Sequence, residues 1–342
     1  MKKLLKFLST LIILFLACLN SYSQCAFIDP PPPPPPTGNQ ALAILDSKNG
    51  WYVPCSGTLR VLVVFVEVDY SGSVVGDPTP PNGFPLWHSH HLPSWANALF
   101  DANTPIGPAT GELTRYYQLA SSGQYNLIGD YLMSPTNNGI FQLPYNGGWG
   151  IPTVCAAVNA AMAGNFVTGN NLNNASFFDN WTKTNPGTPK ITPSTDSPIK
   201  YDHVMFIFRN LINVDQTGWS SYTGMGATIL GFDADTHSFF GSHNGIVTNI
   251  ARHEYGHLMY GANNFHCGGG GWGPENYWIP LEHGWSNMSL ANASLLTWNA
   301  WDRQRMDWKA PGNSFVVSAR DANNTIELNG DLDATIAAQQ GI

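Results

Sequence analysis

His253-Glu254-Tyr255-Gly256-His257 decides how this chain is read. The pentapeptide has the form H-E-x-x-H and falls in a stretch of helical periodicity. Ile246, Ile250, His253 and His257 recur at +4, +3 and +4, the spacing of one buried helix face. Val247, Leu258 and Met259 add apolar bulk. Asn244 is the expected N-cap, and Gly261 with Asn263 and Asn264 the expected stop. Two histidines four apart on a helix lie one turn apart on the same side. Both imidazoles can therefore reach one metal ion. Glu254 stands beside the first of them, placed to take a proton from water at that ion. The plainer alternative is a core helix whose histidines are satisfied by hydrogen bonds.

A hydrolytic zinc ion takes three protein ligands and keeps a position open. His253 and His257 supply two, and the third must come from outside the helix. His266 is the first candidate, because a stop at Gly261 lets the chain fold back. The run Gly268 to Gly271 then leaves that loop free to take an unusual path. Glu282 is the second candidate, with Glu275 and His283 behind it. A downstream Glu plays that part in thermolysin-like enzymes.

The composition narrows the setting. Charged residues make up 11% of the 342, the net charge is -8, and no Lys/Arg cluster exists beyond the N-terminal lysines. That argues against a nucleic-acid surface. Lys2, Lys3 and Lys6 precede the apolar run Leu8 to Leu19, and Ser21-Tyr22-Ser23 offers small residues at the positions a signal peptidase reads. Residues 1–23 are thus expected to be a signal peptide and the protein to be secreted. Lipid anchoring through Cys18 is the lesser alternative, since Phe15-Leu16-Ala17 fits it poorly. The apolar run is short for a membrane span, and no later segment is long enough.

Cleavage after Ser23 leaves Cys25, Cys55, Cys155 and Cys267. In a secreted protein these allow two disulfides in three pairings. Cys55 as a latency thiolate on the metal is a minor alternative.

Residues 24–50 form a Pro-rich linker, with Pro30 to Pro36 in polyproline II. A catalytic domain is expected over 51–312. Leu59 to Val68 is an apolar run of strand length, expected at the centre of a sheet and covered on both faces. The loop that follows, to about Pro108, carries His88, His90 and His91. It is expected to be solvated or to face substrate, with a second metal site as the alternative. Helices are expected at Glu112 to Ser121 and Pro152 to Met162, with a strand at Tyr125 to Leu132. Asn165 to Ser197 reads as a loop, and Tyr201 to Phe208 and Met225 to Phe232 as strands. Beyond His266 the signals are weak until a helix at Ala293 to Trp308 and short strands at Phe315 to Ala319 and Thr325 to Asn329. The fold class is α+β: a mixed twisted sheet packed on the helix of the pentapeptide, then an irregular C-terminal subdomain. Residues 313–342 read as the start of a β-rich segment, with truncation of that segment as one reading. Asp and Asn residues near 321 to 333 suit a turn-rich surface, with Ca2+ binding as the alternative.

Several segments together resemble the immune inhibitor A-like secreted bacterial metallopeptidases, of the broad metzincin type. Arg60-Val61-Leu62-Val63-Val64-Phe65 is similar to that family's first strand. Leu113-Thr114-Arg115-Tyr116-Tyr117 with Ser122-Gly123-Gln124-Tyr125 resembles its YY and S-G passage from helix to strand. His253-Glu254-Tyr255-Gly256-His257 matches its HE[FY]GH form. Gly284-Trp285-Ser286-Asn287-Met288-Ser289 is similar to its W-S-x-M-S segment, with Met288 as the floor beneath the imidazoles. Trp301-Asp302-Arg303 and Met306-Asp307-Trp308 resemble the segment that follows. The matches run in the family's order from about residue 58 to 320. One departure bears on the site: His266 lies thirteen residues after His253, a longer connection than the family's.

The resemblance implies a metzincin-like zinc peptidase domain. It implies one catalytic Zn2+ on His253, His257 and His266, with Glu254 as general base. The expected activity is secreted endopeptidase action on extracellular proteins and peptides, by a monomer without nucleic-acid partners. A zinc hydrolase of non-peptide bonds and a non-catalytic surface or glycan binder are the alternatives. The intact Glu254 argues against the latter.

Overall fold

The computed structural model describes residues 52–71, 77, 86–145, 150–185, 188–211, 218–241 and 247–260, with the single positions 298, 303, 306 and 308. The expectations for the signal segment, the Pro-rich linker, Asn244, Gly261, His266, Glu275, Glu282, His283, Met288, Cys25, Cys267 and the segments after 308 lie outside them.

The apolar run becomes β1 (Gly57–Asp69), the axis of the fold. Alternation sends its side chains to two faces. Leu59, Val61, Val63 and Phe65 enter one core, and Leu62, Val64, Val66 and Val68 the other. Each such side chain, fully buried, contributes about 1.5–3 kcal/mol. β2 (Tyr125–Tyr131) pairs with the first half of β1, β3 (Phe141–Pro144) with its last residues, and β6 (Tyr201–Phe208) with its other edge, all parallel. Beyond β6 lie β8 (Ala234–Gly241), parallel, and β7 (Gly218–Ser221), antiparallel to β8. The sheet order is therefore β2-β1-β6-β8-β7, a mostly parallel mixed sheet with one antiparallel strand at its end.

Among the described residues three helices cover it. α1 (Glu112–Ala120) and α3 (Val247–Tyr260) pack on the face that carries Phe65, Tyr125 and Met205. α2 (Ile151–Met162), with Pro152 in its first turn, packs on the opposite face. The arrangement is mixed α/β, with the H-E-x-x-H helix laid against the sheet.

Three expectations are corrected. Residues 225–232 are not a strand. Gly226, Leu230 and Gly231 have φ of 65°, 51° and 90°, and a single bridge, Ile229 to Phe232, remains. Asp233 draws this turn in by accepting N–H bonds from Met225 and Ala234, each 2.8 Å. The strand that occupies this part of the sheet is β8, whose buried Thr236, His237 and Ser238 disguise it in sequence. Asn165 to Ser197 is not all loop. It holds a 3-10 turn, Ala175–Phe178, and a hairpin of β4 (Trp181–Asn185) with β5 (Thr188–Pro193). Buried Asp202 anchors the hairpin's start, one carboxylate oxygen accepting from the N–H groups of Asn180 and Trp181.

Cys55 and Cys155 are buried in the two different cores and do not bridge each other, which removes one of the three pairings. Burial pushes the Cys155 thiol up to about 12, so it is inert packing. Cys55, 3% exposed, sits in the core under α3. The third correction concerns the helix face and is taken up next. Among the described residues no helix is long and apolar enough to cross a membrane.

Candidate metal centre

α3 meets the sheet through Ala251, Tyr255, Leu258 and Met259, each no more than 2% exposed. The expected buried stripe of Ile250, His253 and His257 instead lies on the side of the helix away from that contact. Ile250 and His253 are half-buried and only His257 is buried. The reason is Tyr255, the third residue of the pentapeptide. Its hydroxyl shares a 2.5 Å hydrogen bond with Tyr125 of β2, and its ring meets His203 of β6 and Tyr117 of α1 edge-on, with centroids at 5.2 and 5.4 Å. A ring this large takes the core-facing position. The two histidines, each two residues and about 160° around the helix from it, lie together on the side away from that contact.

Further contacts fix the helix in place. The Tyr117 hydroxyl donates to the Arg252 carbonyl at 2.9 Å, and the Tyr52 N–H donates to the Leu258 carbonyl at 2.9 Å. The second satisfies a carbonyl of the last turn. Residues from distant segments close the same core. Trp308 stacks parallel to Tyr125 and donates Nε1–H to the Cys55 carbonyl, and Arg303 donates to Ser122 Oγ at 2.8 Å.

Held this way, His253, Glu254 and His257 bring their ligand atoms to within 4.8 Å of one another. The two imidazole rings stand nearly perpendicular with centroids 4.8 Å apart. Two imidazole nitrogens form a donor pair of borderline hardness, which fits zinc at about 2.1 Å per nitrogen, with the Glu254 carboxyl beside them. Burial pushes the Glu254 carboxyl up to about 8, opposed only by the backbone N–H that Ser220 donates to it. A dication nearby would favour the ionised form and restore an ordinary proton acceptor.

Ser220 was not foreseen, and no sequence signal marks it, since the group that acts is a peptide N–H. Among the described residues its strand β7 ends the sheet, and that N–H points to Glu254. The close approach of β7 to α3 depends on Gly218. A Cβ there would lie 2.5 Å from a ring carbon of Phe240 and 2.9 Å from Ile250 Cγ2. His203 was also unforeseen. Buried under Tyr255, it bonds Thr236 Oγ1 through Nδ1 at 2.9 Å and Ser238 Oγ through Nε2. Burial drives its pKa down to about 3, so it is a neutral core residue and not a ligand.

His253, Glu254 and His257 thus stand together as read from the sequence, while His266 and Glu282 lie outside the described residues. Comparison with protein-family models and with curated proteins gives no match.

Proposed function

We propose that the chain is a secreted zinc endopeptidase of the metzincin type, resembling the immune inhibitor A-like enzymes. The observation that carries this is the convergence of His253, Glu254 and His257 on one side of a helix whose other side is locked to the sheet. The mixed sheet beneath that helix is compatible with the finer fold assignment.

His253 and His257 would hold the metal through ring nitrogens, and His266 is proposed as the third ligand, with Glu282 second. Zinc, when bound, supplies Lewis acidity that lowers the pKa of water and polarises a carbonyl. Glu254 accepts the water's proton at a carboxylate oxygen and passes it to the departing amine. Ser220 keeps that carboxylate beside the histidines through its backbone N–H. β7 has its free edge next to Glu254 among the described residues, and an extended peptide is the substrate class that such an edge suits. Extracellular proteins or peptides are the proposed substrates.

Zinc analysis and casein cleavage on the full chain, with and without chelator and beside Glu254→Gln, test the proposal. Zinc in both proteins, with cleavage only by the unmutated and unchelated one, supports it. Undiminished cleavage by Glu254→Gln, or absence of zinc from the folded chain, would overturn it.

A further inference from the structure

The loop after β1 holds a second group of histidines, remote in sequence from α3. His88 Nδ1 and His91 Nδ1 are 3.2 Å apart. The Ser89 carbonyl oxygen lies 3.0 Å from the first and 2.8 Å from the second. Three potential donor atoms therefore form a nearly equilateral triangle on an exposed surface. Ligands at about 2.1 Å from one tetrahedral or octahedral ion are separated by roughly 3.0–3.4 Å. The triangle matches one face of such a coordination shell.

The loop is built to keep this shape. The carboxylate of buried Glu67 accepts from Ser89 Oγ at 2.6 Å and from the His90 N–H at 2.9 Å, and pairs with buried Arg209 at 3.2 Å. Arg209 Nε donates to the Trp87 carbonyl at 2.7 Å, and Trp87 Nε1 donates to the His91 carbonyl at 3.0 Å. His90 takes φ of 59°, which doubles the chain back and brings His88 and His91 together. The His90 ring turns away to Gln142, 2.6 Å from its Nδ1.

Without an ion, both rings can carry the proton on Nδ1 and donate to the two lone pairs of the Ser89 carbonyl. If either does not, its lone pair faces that oxygen. A cation takes the place of those protons and accepts an electron pair from each of the three atoms. We propose that His88 Nδ1, His91 Nδ1 and the Ser89 carbonyl form a second metal site for a divalent transition ion of the zinc class, with its remaining positions open to water. Binding through Nδ1 moves the proton to Nε2. Asn138, whose amide nitrogen lies 3.2 Å from His91 Nε2 and donates to the His90 carbonyl, must then turn its oxygen to that ring.

The test is zinc titration against a chromophoric chelator, on the full chain and on a His253→Ala/His257→Ala variant that cannot load the helix site. The second protein is expected to take one equivalent, and to lose it when His88→Ala/His91→Ala is added. His90→Asn, which keeps the left-handed backbone, is expected to retain it. In the unmutated chain the same His88→Ala/His91→Ala pair lowers the stoichiometry by one, and Cu2+ bound to the helix-site variant shows coupling to two nitrogens in its paramagnetic resonance spectrum. Undiminished stoichiometry after loss of His88 and His91, in both backgrounds, would overturn the proposal. So would a folded helix-site variant, checked by circular dichroism, that takes no zinc. None of these readouts depends on peptidase activity.

Discussion

The hydroxyls of Tyr255 and Tyr125 lie 2.5 Å apart in the core and tie the middle of the H-E-x-x-H helix to the first residue of β2. Both phenols are fully buried, and burial raises their pKa values, so the bond is between neutral groups. Removing one hydroxyl leaves the other without its partner. Tyr255→Phe and Tyr125→Phe should each cost about 1–3 kcal/mol, and the double variant clearly less than their sum. Urea unfolding of the four proteins checks this. Strict additivity would mean that the two hydroxyls do not interact.

On the proposed reading, Glu254→Gln removes the proton acceptor and keeps a side chain of the same shape. Hydrolysis is expected to fall by about 10²–10⁴-fold or more while the protein keeps its zinc. The variant also removes an acid whose carboxyl burial pushes up to about 8. Steady-state cleavage of a fluorogenic peptide, paired with metal analysis, measures both effects.

His203 sets an acid limb on stability. Its pKa is about 3 in the fold against 6.5 for the free side chain. Above pH 6.5 it is neutral in both states and its contribution is fully present. Between pH 6.5 and 3 only the unfolded chain takes up the proton, so stability is lost as pH falls, by about 1.4 kcal/mol per unit. Unfolding midpoints across that window should be flatter for His203→Gln than for the parent. Parallel curves would show that another group controls the acid limb.

Gly218→Val drives a side chain into Phe240 and Ile250. The expected cost is about 1–3 kcal/mol, with β7 displaced from α3. Because Ser220 sits two residues on, turnover should drop more than zinc affinity. Equal turnover in the variant and the parent would separate β7 from the working of the site.

Much of this molecule was legible before its fold was known. β1, β2, β6, α1 and α2 lie within a residue or two of their expected places, because apolar runs, Gly stops and a Pro in a first turn act locally. β8 escaped notice because its polar side chains are buried. Thr236 and Ser238 are satisfied by His203, which comes from another strand. β3 and β7 have only four residues each, too few to display a period.

The site divides along the same line. That two imidazoles and a carboxylate share one side of a helix follows from the spacing of His253, Glu254 and His257 alone, since 3.6 residues make a turn whatever surrounds it. Which side of α3 meets the sheet does not follow. The count of apolar residues favoured Ile250 and the histidines, yet the larger aromatic contact of Tyr255 with Tyr117, Tyr125 and His203 won. The Ser220 N–H beside Glu254 and the 3.2 Å approach of His88 to His91 are likewise products of the tertiary fold. A backbone donor has no letter in the sequence. A loop's curvature is set by what holds it from beneath, here a carboxylate, Glu67, more than twenty residues away from the histidines it positions.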